Sequence, residues 1–386
     1  MMREPEPTLD ASAIIQDRRA LHQIPELGLE LPRTADYCER ALRGMGLAPR
    51  RIGDGMIVDL GAEGPLFAWR ADMDALPVQE ETGAAYASTI PGRMHACGHD
   101  AHMAIALGLA RHYTGGASLP CRLRLIFQPG EEGAGGALHM IEGGALDGVA
   151  AVAGLHVGCI FPELPQGCFG TRKGTVMASA TFFTVTFTGK GTHGAAPDQG
   201  TDALLAGCQF AAALQTVRYG AASPDRPTVL SLGSIHAGSA ANVIPGEAVL
   251  TGTLRTTSLE DQAAMGRQLE RLAQGIALAN GVAVQLEASL RAPMTANTDP
   301  ALAELLEAAV GTAHGAARFR WLAGPTLVGE DFGAYLERVP GVFFFLGTQP
   351  EGSTAPHHHP RFEVAEAALP GAVPVVDALL RLWCQA

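Results

Sequence analysis

A chain of 386 residues with 47% apolar residues is long enough for two domains and has ample material for their cores. Its net charge of -12 argues against nucleic acid or an anionic membrane as the main partner, because both reward a basic face. No apolar run approaches the ~20 residues needed to span a bilayer. The start Met1-Met2-Arg3-Glu4-Pro5-Glu6-Pro7 lacks the apolar stretch of a signal peptide, so a cytoplasmic protein is expected.

In chain order, three short apolar runs at 66–72, 122–128 and 150–157 read as strands separated by helical stretches. That alternation predicts an α/β fold with a mostly parallel sheet. Chemistry in such sheets gathers at the C-terminal ends of the strands. There the sequence places Asp72 after the first run, Glu131 and Glu132 after the second, and His156 at the end of the third. Cys97 and His99 fall in a glycine-containing loop, with Asp100 expected to cap a helix that begins near His102. His95 and His102 are expected on solvent or against Asp100.

The texture changes near Val176. A strand at 180–189, a helix at 201–219, strands at 228–237 and 247–255, a helix at 259–279 and a strand at 282–288 form a β-α-β-β-α-β order, the ferredoxin-like arrangement. Gly174 and Ala292-Pro293 read as crossings, which makes this an inserted α+β satellite domain at 176–291. A catalytic domain is then expected at 1–175 and 292–386, completed by helices at 300–313 and 331–338, a strand at 341–347 and a last helix from about Val364.

The candidate chemistry lies in three runs: His95-Ala96-Cys97-Gly98-His99, Gly130-Glu131-Glu132-Gly133 and His357-His358-His359-Pro360. Thiolate, imidazole and carboxylate are the side chains that bind divalent transition metals. Cys97 and His99 have a spacing that turns both toward one point, although a buried cysteine beside a hydrogen-bonded histidine has the same spacing. Adjacent acids at a helix start are ordinarily explained by the helix dipole. The functional alternative has one of Glu131 and Glu132 on metal and the other facing a metal-bound water of pKa roughly 7. Asp72 and Asp74 are either turn formers or carboxylates that hold a ligand imidazole in its tautomer. Gly189-Lys190-Gly191-Thr192-His193-Gly194 matches G-x-G-x-x-G, but the alternating strand before it is wrong for dinucleotide binding, and His193 is the residue of interest there. The 7 cysteines, odd in number and without C-x-x-C pairs, argue against a disulfide framework.

Taken in order, these runs resemble the zinc aminoacylase and carboxypeptidase family, specifically its hippurate hydrolase and auxin-conjugate amidohydrolase branch. The resemblance runs through Arg18 to Leu27, Arg70 to Pro77, His95 to His102, Gln128 to Gly133, Gly154-Leu155-His156, Ala241 to Gly246, Gly252 to Arg255, Gly329 to Phe332 and His358 to Phe362. It implies two divalent metal ions per subunit, with Cys97 bridging them, His99, Glu132, His156 and His358 as the other ligands, and Asp72 supporting the ligands. Zinc is favoured, with manganese, cobalt or nickel open. Glu131 would be the general base toward a metal-bridging water, and His193 would stabilise the oxyanion. Asn242 and Arg255 would bind the free carboxylate of an N-acyl amino acid or short peptide. The satellite domain would mediate a homodimer or higher homo-oligomer.

Two departures from the family pattern bear on this reading. The run Gly191-Thr192-His193-Gly194-Ala195 replaces Gly-Gly-His-Ala-Ala, and the triple histidine leaves His357 and His359 as alternatives to His358. A dipeptidase or carboxypeptidase of the same family, a thiol hydrolase built on Cys97 with His99 as base, and a non-catalytic metal-binding module are the competing readings. The acyl group is not written in the sequence.

Overall fold

The computed structural model describes residues 10–386, so the reading of the first seven residues lies outside what it describes. Two compact units are present. One comprises the chain to Val176 together with Thr295–Thr326 and Asp331–Ala386; the other comprises Met177–Met294 and Leu327–Glu330.

The first unit is built on an eight-stranded sheet. In spatial order its strands are Arg50–Ile52, Gly55–Leu60, Arg122–Gln128, Leu66–Asp72, Val149–Gly158, Gly341–Gly347, Phe169–Thr171 and Phe319–Trp321. The central four run parallel, and antiparallel pairings occur only toward the two margins. Leu66–Asp72 and Gly341–Gly347 are buried at every position, which explains the apolar texture that only Arg70 and Asp72 interrupt, since a parallel strand is covered on both faces. Helices Ala11–His22, His99–Thr114, Pro300–His314 and Ala372–Trp383 contribute to a core that includes Leu21, Trp69, Leu107, Leu306, Phe344 and Leu379.

Three expectations for this unit need correction. The helix expected near His102 begins at His99, with Gly98 (φ 91) as its cap, while Asp100 lies inside the first turn and makes no cap. Its buried carboxylate instead pairs with Arg18 Nε and His22 Nδ1, each at 2.8 Å, because a buried charge without a partner is costly. The helix expected at 331–338 shrinks to Gly333–Leu336. The last α-helix starts only at Ala372, after a 3-10 segment, Glu366–Gly371, that contains Pro370. Proline has no N–H to continue an α-helical ladder.

The second unit is a four-stranded antiparallel sheet in the order Thr228–Ala237, Glu247–Thr256, Ser179–Thr188, Ala283–Ala292. With helices Ala203–Ala213 and Leu259–Asn280, this reproduces the β-α-β-β-α-β arrangement and its interleaved strand order. Alternation decides its faces: Phe183, Val185 and Phe187 enter the core with Phe210 and Leu269, whereas Phe182 points out. The helix expected at 201–219 is divided into Ala203–Ala213 and Thr216–Tyr219. Among the described residues no helix is long and apolar enough to cross a membrane.

Candidate metal centre

Parallel pairing brings the candidate ligands together. Leu66–Asp72 and Arg122–Gln128 are in register with Asp72 opposite Gln128, so both strands end at one level, and the turns after them carry Asp74 and the Glu131–Glu132 pair. The two glutamates lie in a turn ahead of the helix Gly136–Glu142, so the helix dipole does not account for them. Their backbone N–H groups both donate to the Asp74 carboxylate, at 2.9 and 3.0 Å. One buried aspartate therefore fixes the backbone of both.

Cys97, His99 and His156 are buried, and their ligand atoms lie within 4.8 Å of one another. Cys97, Glu132 and His358 form a second such group, and His99, Glu131 and Glu132 a third. The Cys97 sulfur is common to the first two. His99 Nδ1 donates to the Asp74 carbonyl oxygen at 2.8 Å and His156 Nδ1 to that of Val157 at 2.7 Å, which leaves Nε2 of each ring as the donor atom toward a metal. His156 Nε2 is 3.5 Å from the Cys97 sulfur. His99 Nε2 is buried without a hydrogen-bond partner, its nearest carboxylate oxygens belonging to Asp72 at 3.5 Å and Glu131 at 4.0 Å.

The electrostatics point the same way. Burial, followed by the facing carboxylates of Glu132, Glu131 and Asp72, holds the Cys97 thiol well above its ordinary pKa. Burial works against a charged His99, yet Asp72 and Asp74 carry it up to about 10. Burial likewise opposes a charged Glu132, but His358 and His99 outweigh it and hold the carboxyl below its usual range. His156 goes the other way, held well below its ordinary value by burial and by His102 and His357. A field that raises a thiol and an imidazole together calls for positive charge, and a metal taking these ligands would displace their protons. The soft sulfur, the imidazoles and the carboxylates suit divalent transition metals.

The triple histidine separates clearly. His358 is the one non-glycine residue with positive φ among the described residues (66°), and its N–H donates to the Ala96 carbonyl at 2.9 Å. Its Nε2 lies 3.3 Å from Glu132 Oε1. Held strain of this kind is common at functional sites. His359 is exposed and accepts the N–H of Arg361 through Nδ1 at 3.0 Å, while His357 turns its Nδ1 toward the Cys97 sulfur.

His102 does not face solvent or Asp100. It is buried, bonded through Nδ1 to the Asp72 carboxylate, and accepts the N–H of Val157 through Nε2 at 2.9 Å. Asp72 thus serves His102 and Arg70 rather than bonding directly to a ligand imidazole. The available signal was the i, i+3 spacing of His99 and His102, which stacks their rings at 5.5 Å on one face of the helix. His95 is likewise buried rather than solvated, its ring 6.3 Å from that of His22.

His193, Asn242 and Arg255 belong to the second unit. His193 pairs with Val243 in a two-stranded ladder, and the Gly194 N–H donates to the carbonyl of Asn242, in the turn just before Val243, at 2.7 Å; both candidates are exposed. That ladder also removes any dinucleotide-binding context from the glycine run. Arg255 lies on the strand Glu247–Thr256, where burial lowers its pKa.

Comparison with known proteins agrees with this geometry. The model of peptidase family M20/M25/M40 matches residues 68–382. The chain is 38% identical over 361 residues to an N-acetyl-L-cysteine deacetylase of Bacillus subtilis, covering 92% of this chain and 84% of that protein. It is 36% identical over 376 residues to an N-acetyldiaminopimelate deacetylase of Streptococcus uberis, covering 95% and 98%. The crystal structure of the Bacillus subtilis YXEP protein, described as a dinuclear metal binding peptidase from the M20 family, superposes with a TM-score of 0.84 at 32% identity, covering 97% of this chain and 98% of that one. The chain is a member of peptidase family M20/M25/M40.

Proposed function

We propose that this protein is a metal-dependent amidohydrolase of N-acyl amino acids, with a two-metal centre held by Cys97, His99, Glu132, His156 and His358. The observation that carries this reading is the place of the Cys97 sulfur in two adjoining donor groups, one with His99 and His156 and one with Glu132 and His358. When bound, the metals would acidify water and polarise the scissile carbonyl. Zinc is the first choice for this donor set, ahead of manganese, cobalt and nickel.

The chain's own residues supply the rest. Glu131 takes the proton of the attacking water and returns it to the leaving amine. Arg255 and Asn242 bind the substrate carboxylate, where a partly desolvated guanidinium is effective, and His193 donates to the developing oxyanion. The relatives named as deacetylases support a small acyl group; the resemblance to hippurate and auxin-conjugate hydrolases extends the reading to benzoyl and indolylacetyl groups. A dipeptidase or carboxypeptidase would act on the same bond type, and a panel that varies the acyl group at fixed amino acid separates these substrates.

A thiol nucleophile at Cys97 is opposed by the burial and the carboxylates that keep the sulfur protonated. Exhaustive chelation should abolish hydrolysis, and added zinc, manganese, cobalt or nickel should restore it. Activity that survives chelation would return the thiol hydrolase to first place. The cysteines are all free, which suits a reducing compartment, and we assign the protein to the cytoplasm. The second unit's edge strands Thr228–Ala237 and Ala283–Ala292 leave Ile235 and Leu290 exposed, which supports a homodimer formed through this unit. Light scattering should then give twice the chain mass, and a monomer at working concentration would refute the dimer.

A further inference from the structure

Of the two histidines of the run that the proposed ligand set leaves unused, His359 is exposed and His357 lies against the site. Its Nε2 accepts the Cys159 N–H at 3.1 Å. A backbone N–H can only donate, so this nitrogen carries no proton and the ring's proton sits on Nδ1. Nδ1 faces the Cys97 sulfur at 3.7 Å, within reach of an N–H···S hydrogen bond.

The ring is held there from several sides. It meets the His156 ring edge to face at 5.1 Å and lies against Phe362 at 4.5 Å. A Cβ on residue 158 would fall 2.1 Å from His357 Nε2, so glycine with φ 115° is what leaves space for the imidazole. The strand Val149–Gly158 therefore presents His156 toward the sulfur, and the residue just past its end, Cys159, fixes the tautomer of a second imidazole.

We propose that His357 is a positioning residue that donates its Nδ1–H to the Cys97 thiolate. The inference rests on the reading of Cys97 as a metal-bridging thiolate and adds to it a means of tuning that sulfur. Hydrogen bonds to a ligating sulfur lower the energy of its lone pairs and set how strongly it donates charge. His357 would thus hold electron density on a sulfur that sits among carboxylates.

Cobalt is a suitable probe because sulfur-to-cobalt charge transfer reports the sulfur lone pairs without reference to turnover. Protein loaded with two equivalents of Co(II) should show such a band, and Cys97→Ser should lose it. His357→Leu should retain both cobalt ions and move the band to longer wavelength. His357→Asn, which places an amide N–H near the position of Nδ1, should move it back toward the native position. Should His357→Leu fail to fold, His357→Phe keeps the ring's bulk without the donor and should give the same displacement. A native protein with no band, or a band that survives Cys97→Ser, would remove the bridging-thiolate reading itself. With that reading intact, an unmoved band in the leucine or phenylalanine variant overturns the donation by His357. Loss of one cobalt from either variant makes His357 a metal ligand and also overturns it.

Discussion

Glu131→Gln should lower kcat by about 10²–10⁴-fold while the protein keeps its metals. The substitution preserves the shape of the side chain and the backbone N–H that donates to Asp74, and it removes only the ability to accept a proton as a carboxylate. Glu131 is suited to the role because its carboxylate approaches His99 Nε2 at 4.0 Å without being required in the two groups that contain the Cys97 sulfur. The neighbouring change Glu132→Gln provides the contrast, since Glu132 shares a donor group with Cys97 and His358 and its loss should weaken metal binding first. Metal content by atomic emission, measured beside kcat and KM, distinguishes the two. Full turnover in Glu131→Gln would strike out the base, and loss of metal from it would move Glu131 into the ligand set.

The parts of this molecule that depend on local pattern were legible in the sequence. The buried strand Leu66–Asp72 is mostly apolar, interrupted by Arg70 and closed by Asp72, and Thr228–Ala237 alternates, so period and texture located both. The candidate ligands were legible for a related reason: Glu131 and Glu132 follow, and His156 lies near the end of, strands that run parallel, and parallel strands release their chains at one edge of a sheet. What remained hidden depends on partners distant in sequence. Asp100 carries the local signature of a helix cap, yet Arg18 and His22, on a helix nearly eighty positions earlier, claim its carboxylate. Asp74 looks like a turn former until the glutamate N–H groups some sixty positions later are seen to converge on it. His102 appeared dispensable because nothing local shows that its two nitrogens are taken by Asp72 and by the backbone of Val157.

The same long-range bonding makes Arg70 the side chain whose loss should damage the fold most. It is 2% exposed, and its guanidinium donates to Asp72 at 2.6 Å, to Asp331 at 2.8 Å and to Gln128 at 2.9 Å. Gln128 donates in turn to both oxygens of Asp331 at 2.9 Å and accepts from Tyr335 at 3.0 Å, so the ends of two parallel strands and the segment after Glu330 share one network. Arg70 also helps hold Asp72 well below the usual carboxylate range, although burial alone would raise it. Arg70→Met therefore strands two buried carboxylates. Breaking a buried pair by removing one partner costs roughly 3–5 kcal/mol, and denaturation of the metal-free protein should show a loss of that order. Arg70→Lys keeps the charge but not the fork and should lose less. Adding Asp331→Asn to Arg70→Met removes one of the stranded charges and should recover part of the deficit. If Arg70→Met unfolds like the native chain, or if Asp331→Asn deepens its loss by as much as it costs alone, the carboxylates do not depend on this guanidinium, and the charge balance inferred around Asp72 is wrong.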